Sequence, residues 1–272
     1  MTQDNTSDAV IPRMRARHDR HFVTALARGL DVLSCFRSGS GLLGNQEIAD
    51  RCRLPKSTVS RLTYTLTKLG YLHYDKESGK YRLGPATLAL GSAVMGRFDI
   101  RDVARPLMQE LADSAGTSVA LGARQGLNMA LVEVCKGKTV LSLNMEVGMR
   151  LSLATSAIGR CYLAICSEAE RLELFEEIQR SDRKAWPALH EGIEKSLAEY
   201  RQYGVCSSFG EWQPDVNGIA VGFRPGSGMP PMAINCGAPA FKLSSQHLMT
   251  EVRPRLLALA KKLEEAMGVA RS

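Results

Sequence analysis

Residues 45–84, NQEIADRCRLPKSTVSRLTYTLTKLGYLHYDKESGKYRLG, constrain this chain more than any other stretch. Two short amphipathic runs flank a tight Leu54-Pro55 turn, and a two-stranded pattern with basic residues near its tip follows. That order predicts a winged helix-turn-helix, in which the second helix of the pair enters the major groove of DNA. Leu26, Leu30 and Leu33 recur at helical spacing within residues 23–36, and the SGSG at 38–41 closes that first helix. Asn45 is the expected N-cap of the next helix, with Glu47 in its first turn and Ile48, Ala49 and Cys52 on its apolar face.

The third helix is predicted over residues 56–69 and stops at Gly70. Val59, Leu62, Leu66 and Leu69 make one apolar stripe, while Ser57, Ser60, Arg61, Tyr64 and Lys68 lie opposite. A solvated surface face is the bland reading of that side. Small hydroxylated residues beside one Arg fit DNA better, because they allow close approach and leave the guanidinium to reach a base edge or a phosphate. Lys56, Ser57, Thr58, Ser60, Arg61 and Tyr64 are therefore the candidate DNA contacts of the helix. Lys76, Lys80 and Arg82 are those of the wing, whose turn centres on Ser78-Gly79.

Charge sharpens the picture. Residues 1–98 carry 15 Lys and Arg against 8 Asp and Glu, whereas 99–272 carry 20 of each, so the whole net charge of +7 sits in the N-terminal third. Counterion release from phosphates favours that placement. Arg13, Arg15, Arg17 and Arg20 fall in a polar 1–20 segment that reads as a flexible basic arm, either unengaged or contacting the DNA backbone or minor groove. Residues 21–84 form the predicted DNA-binding domain. Pro85 opens a helix over 85–98, where Leu88, Leu90, Val94, Met95 and Phe98 are too apolar to lie bare. It either packs on its own domain or pairs with a second copy, and the latter supplies the two-fold axis of a palindromic site.

Beyond residue 99 the pattern changes. A helix with Val103, Leu107 and Leu111 precedes strand-like runs at 118–123, 129–135 and 140–145. Helices are expected after Thr155, over 168–179 and over 187–203. Strands at 205–209, 218–223 and 232–236 come next, with a closing helix over 244–267. Hairpin-linked strands with segregated helices predict an α+β fold with an antiparallel sheet. The seven cysteines are scattered and form no C-x-x-C pair, so neither a zinc ribbon nor a disulfide framework is expected. The five histidines lack metal-ligand spacing, and no P-loop, G-x-G-x-x-G or G-x-S-x-G occurs. The expectation is a cytoplasmic protein with no cofactor, no bound metal, no membrane span and no enzymatic activity.

Ser156-Ala157-Ile158-Gly159 opens a helix whose free N–H groups and dipole favour a carboxylate, although Thr155 or Ser156 capping that helix explains the same residues. The chain from residue 23 to 267 resembles IclR-type transcriptional regulators. LPKSTVSRLTYTLTKLGYL and YRLG are similar to the family's helix-turn-helix and wing, and LSLATSAIGRCYLA and EYRQYGVCSSFGEWQPDVNGIAVGF to two motifs of its effector domain. The resemblance implies an operator-binding regulator whose domain at 99–272 binds a small organic acid and oligomerises, as a homodimer or tetramer. An activator would also contact RNA polymerase.

Carried over by motif position, the effector pocket would involve Ala157, Ile158, Ser208, Val216, Gly218, Asn235 and Gly237, with Glu211 at a recurrent acidic position. Alternation along the last strand independently places residues 233, 235 and 237 on one face. This chain departs from the family at Asp215, Ser208, Gly218, Asn235 and Gly237. Fewer fixed acceptors and more open space would suit an aromatic acid better than a two-carbon one. The rival readings are a DNA binder with no effector and an enzyme fused to a DNA-binding domain.

Overall fold

A computed structural model describes residues 21–36, 41–95, 100–138, 143–226 and 229–267. The basic arm (1–20), the SGSG tract and Phe98 lie largely or wholly outside them. The chain forms two compact units, one within residues 10–99 and the other from Ile100 onward.

In the first unit α1 (Thr24–Ser34), α2 (Asn45–Cys52) and α3 (Lys56–Lys68) precede a hairpin of β1 (Leu72–Asp75) and β2 (Lys80–Leu83), then α4 (Pro85–Met95). Val32, Cys35, Leu43, Ile48, Ala49, Cys52, Leu54, Val59 and Leu72 form its core. Leu43 bridges Tyr81, which pins the hairpin to the entry of α2. Three details differ from the sequence reading. Gly44, not Asn45, is the N-cap of α2, its N–H donating to Glu47 Oε2 at 2.8 Å. The Asn45 side chain is instead spent across the helix pair, accepting from Thr63 Oγ1 at 3.1 Å and donating to Ser60 Oγ at 3.4 Å. Thr63 is fully buried and Leu69 is 61% exposed, so the inward stripe of α3 is rotated toward a hydroxyl that also bonds the Val59 carbonyl.

The second unit begins with α5 (Ile100–Ala115), β3 (Ser118–Gln125), β4 (Asn128–Lys136) and β5 (Arg150–Ser152). Then come α6 (Ala157–Ile165), α7 (Glu168–Ser181), α8 (Trp186–Tyr203), β6 (Cys206–Phe209), β7 (Val216–Phe223) and β8 (Met232–Pro239). The chain closes with a short α9 (Ser245–His247) and α10 (Arg253–Ala266). The sheet order is β5-β4-β3-β8-β7-β6, and its pairings are antiparallel. The α+β expectation therefore holds.

α5 and α10 pack on one face of the sheet, and α6, backed by α8, on the other. Alternation on β8 serves both faces. Ala233 joins the core under α6, while Ile234 and Cys236 are buried on the opposite side. Helix α5 buries Ile100, Ala104, Met108, Leu111 and Ala112, leaving Val103 and Leu107 on the flank of the stripe. The run at 140–145 does not give a strand where it is described, since residues 143–145 are irregular, and the strand appears instead at Arg150–Ser152. The closing helix is interrupted by a wide turn at Leu248–Val252 just before Pro254, which lacks the N–H needed to continue a regular ladder.

Candidate DNA-reading helix and effector cleft

The face of α3 opposite the core is open. Lys56, Ser57, Ser60, Arg61, Tyr64 and Lys68 are exposed and Thr58 is half-buried. Tyr64 lies under the Lys68 ammonium at 5.6 Å, a cation–π contact that leaves the ring 64% exposed. Ser60 has a second duty, because its hydroxyl accepts from Asn45 and helps fix α2 against α3.

In the wing, Lys76 and Arg82 are exposed, whereas Lys80 pairs with Glu47 at 3.3 Å. The Gly44 N–H, and then Lys80, hold the Glu47 carboxyl below its ordinary range. Asp75 accepts from both the hydroxyl and the N–H of Ser78, which lower its pKa and close the hairpin turn before Gly79 at φ 68°. The face thus keeps Arg61, Lys56, Lys76 and Arg82 available, while Lys80 already has a carboxylate partner.

The second unit carries a cleft where α6 begins. It is lined by Ser156 and Ala157 at the helix start, by Ser208, Val216, Gly218, Asn235 and Gly237 on the sheet, and by Leu143, Met145, Leu151 and Trp212 around its edge. Six of the seven residues nominated from sequence meet here. Ile158 does not, because its side chain is fully buried and points at β3, with Cδ1 2.8 Å from where a Cβ on Gly122 would stand.

Ser156 is the N-cap of α6, accepting from Gly159 N–H at 3.1 Å and donating to Ser152 O at 2.6 Å. The Arg160 N–H bonds Ser156 O, and among the described residues no acceptor takes the Ala157 or Ile158 N–H at the positive end of the helix. Ser208 Oγ donates to Thr155 O at 2.8 Å, but its lone pairs remain. Asn235 is only 6% exposed and, among the described residues, its Oδ1 has no hydrogen-bond partner. Ser118 Oγ, on the adjacent strand and the same sheet face, is equally buried and unpartnered.

The expected open space is absent. Leu143 lies over Gly237, 3.1 Å from a notional Cβ, and Trp212 closes another side, so the cavity is about 20 Å3. That is little more than a single water requires.

Sequence reasoning missed the residue that fixes the cleft's shape. Arg160 is 3% exposed and donates to Ala154 O at 2.8 Å, to Ser196 Oγ at 3.4 Å, to Ser207 O at 3.5 Å and to the Glu211 carboxylate. Glu211 is thereby a loop anchor that draws residues 210–215, Trp212 among them, onto α6. A lone charge inside an otherwise apolar helix was the available signal.

Residues 92–265 match the family described as "Bacterial transcriptional regulator IclR C-terminal", and residues 25–76 match the "IclR helix-turn-helix domain". The chain belongs to the IclR family of transcriptional regulators. This IclR-family regulator is 33% identical over 251 residues to the HTH-type transcriptional regulator TsaQ1/TsaQ2 of Comamonas testosteroni, covering 92% of this chain and 90% of that protein. An IclR family transcriptional regulator from Brucella abortus superposes with a TM-score of 0.79 at 43% identity, over 91% of this chain and 94% of the other. An IclR homolog from Microbacterium hydrocarbonoxydans, complexed with 4-hydroxybenzoate, shares the fold at 22% identity and a TM-score of 0.68, over 89% and 100% of the two chains.

The regulator accordingly binds DNA through its N-terminal unit. Among the described residues no helix is long and apolar enough to cross a membrane, and no cluster of His, Cys, Asp or Glu is arranged to hold a metal.

Proposed function

We propose that this regulator binds its operator through the exposed face of α3 and the wing, and that a small organic acid in the α6 cleft controls that binding. The observation that carries the effector half is Asn235 Oδ1, an orphaned acceptor in a cleft that also meets the start of α6 at Ala157. A buried polar atom without a partner costs free energy, and a ligand that supplies the donor removes the cost. The ligand's carboxylate sits at the start of α6 beside the Ala157 N–H, and a hydroxyl or N–H elsewhere on it donates to Asn235. An aromatic acid is the first class to try, by analogy with the ligand of the Microbacterium homolog. Such a molecule exceeds about 20 Å3, so Leu143 and Trp212 swing aside on binding. That movement in two loops is the proposed origin of the signal.

Asn235→Leu keeps the branched shape and removes the amide. Its expected signature is opposite in sign in the two states. The unliganded protein gains about 1 kcal/mol, whereas effector affinity falls by about 1–3 kcal/mol. Thermal unfolding and calorimetry separate the two, and a variant that loses stability without losing affinity would assign Asn235 a purely structural role.

On DNA, Lys56, Ser57, Thr58, Ser60 and Tyr64 flank Arg61, which reads a base edge. Arg61→Ala weakens operator binding by about 1–3 kcal/mol and relaxes sequence preference at one position. An even loss on all sequences, with a shallower salt dependence, would make Arg61 a phosphate contact instead. Lys76 and Arg82 anchor the wing, with Lys80 joining only if it leaves Glu47. Leu88 and Leu90 stay 73% and 55% exposed on α4, an apolar surface that a second copy would cover in a homodimer. Sedimentation at micromolar concentration tests this, and a monomeric protein contradicts it.

A further inference from the structure

Inside the DNA-binding unit, Cys35 and Cys52 bring their sulfurs to 3.0 Å across 17 residues of sequence. Cys35 caps the C-terminal end of α1 and Cys52 is the last residue of α2. Both belong to the core that supports α3, and as residues they are 8% and 6% exposed. The geometry is ordered by more than the sulfurs. Cys35 Sγ lies 3.4 Å from Asp31 O, the carbonyl it donates to, and the Arg51 guanidinium donates to Cys35 O at 2.9 Å, tying the ends of the two helices together.

We propose that Cys35 and Cys52 are a reversible dithiol–disulfide modification site that couples operator binding to peroxide. A disulfide needs an S–S separation of about 2.05 Å, so the sulfurs must close by about 1 Å. Each sits at a helix end beside a turn, where a small backbone shift costs least. Hydrogen peroxide is the oxidant. One thiolate attacks its O–O bond, giving a sulfenic acid and releasing water once protonated. The second thiol then displaces the sulfenic oxygen as a second water and forms the S–S bond. Two electrons pass from the thiols to peroxide, and dithiothreitol returns them. A transient disulfide of this kind is the form that reducing compartments tolerate.

The other five cysteines all lie in the second unit and are poor competitors. Cys135, Cys161, Cys206 and Cys236 are 1% exposed or less, and burial pushes the thiols of Cys166 and Cys236 up to about 11 and about 12.

The consequence for DNA follows from position. Cys52 leads through Arg53, held at φ 51°, and Leu54-Pro55 into the first turn of α3. Drawing Cys52 toward α1 displaces the start of the reading helix, and losing one good base contact corresponds to roughly a tenfold loss of affinity.

The test treats the full-length reduced protein with hydrogen peroxide, then maps disulfide-linked peptides and measures operator affinity on the same sample. The expected result is a peptide pair joining Cys35 to Cys52 as the main product. Operator affinity should fall roughly tenfold and return with dithiothreitol, and Cys35→Ala and Cys52→Ala should abolish both effects. Peptide mapping of the unmutated protein decides the chemistry even if either variant folds poorly. Oxidation that spares the pair, or reaches the second unit first, overturns the site. A Cys35–Cys52 bond that leaves affinity unchanged overturns the coupling. Because the consequence rests on operator binding, a reduced protein that ignores its operator would sink that reading alone, and the peptide map would still judge the thiols.

Discussion

Arg160→Met is expected to destabilise the second unit by about 3 kcal/mol and to loosen the cleft, although the substitution keeps an unbranched apolar stem as far as the position of Nε. The guanidinium is the common donor for the carbonyls of Ala154 and Ser207, the hydroxyl of Ser196 and the Glu211 carboxylate. Methionine leaves the buried Ala154 carbonyl without its donor, whereas Ser207 O keeps the Ser196 hydroxyl at 3.5 Å. Glu211 suffers less, because its side chain is 37% exposed and can turn to water. The main cost is therefore desolvated backbone, not a stranded charge, which places the effect toward the lower end of the range for breaking buried ion pairs. Lysine does not rescue it, since a single ammonium cannot serve acceptors spread around a planar fork. Gly192 shows how closely the fork is fitted, as a Cβ there would stand 2.5 Å from Nη2. Denaturant unfolding reports the loss. Fluorescence of Trp212, freed with its loop, reports the loosening. A loss below about 1 kcal/mol would mean that the loop is held by something else.

Gly159→Ala is expected to cost about 3 kcal/mol or more, for a reason unrelated to conformational freedom. The added methyl would stand 2.3 Å from Ser152 O and 2.4 Å from Leu153 Cα. Both are backbone atoms and cannot swing away. The start of α6 would have to retreat from the connection after β5, pulling Ser156 from Ser152 O and Ala157 from the cleft. Gly218→Ala is the control, because its methyl meets Cys236 O at 3.4 Å and Ala157 Cβ at 3.9 Å. It should cost little stability while narrowing the cleft. Comparing the unfolding midpoints of the two variants checks the steric argument. Equal effects would contradict it.

Local pattern made much of the architecture legible. The turn at Leu54-Pro55, the stop at Gly70 and the two-strand alternation around Ser78-Gly79 each reflect contacts a few residues apart, and the winged unit is built mostly of such contacts. The strand at Arg150–Ser152 was not readable, because three residues carry no period and the pairing with Asn128–Ala130 alone defines it. Asn45 was misread for a similar reason. Its residue type suits a cap, but a partner 18 positions away in Thr63 competes for the side chain. Ile158 shows the limit of carrying a motif over residue by residue. Ala157 and Ile158 are adjacent in sequence, yet a helix turns neighbours about 100° apart, so one faces the cleft and the other the sheet. The missing volume at Gly218 and Gly237 was visible in the sequence, but the Leu143 side chain that reoccupies it comes from a loop far along the chain.

We propose that the α6 cleft and the reading face of α3 are thermodynamically coupled. The most direct measurement is operator affinity by fluorescence anisotropy at fixed salt, with and without a saturating acid shown by calorimetry to bind. In parallel, the affinity of that acid should be measured with and without operator. One and the same factor is expected in both experiments, about 5–150-fold, and it should be lost in Asn235→Leu at acid concentrations that saturate the unmutated protein. An acid that binds in the cleft yet leaves operator affinity unchanged would contradict it.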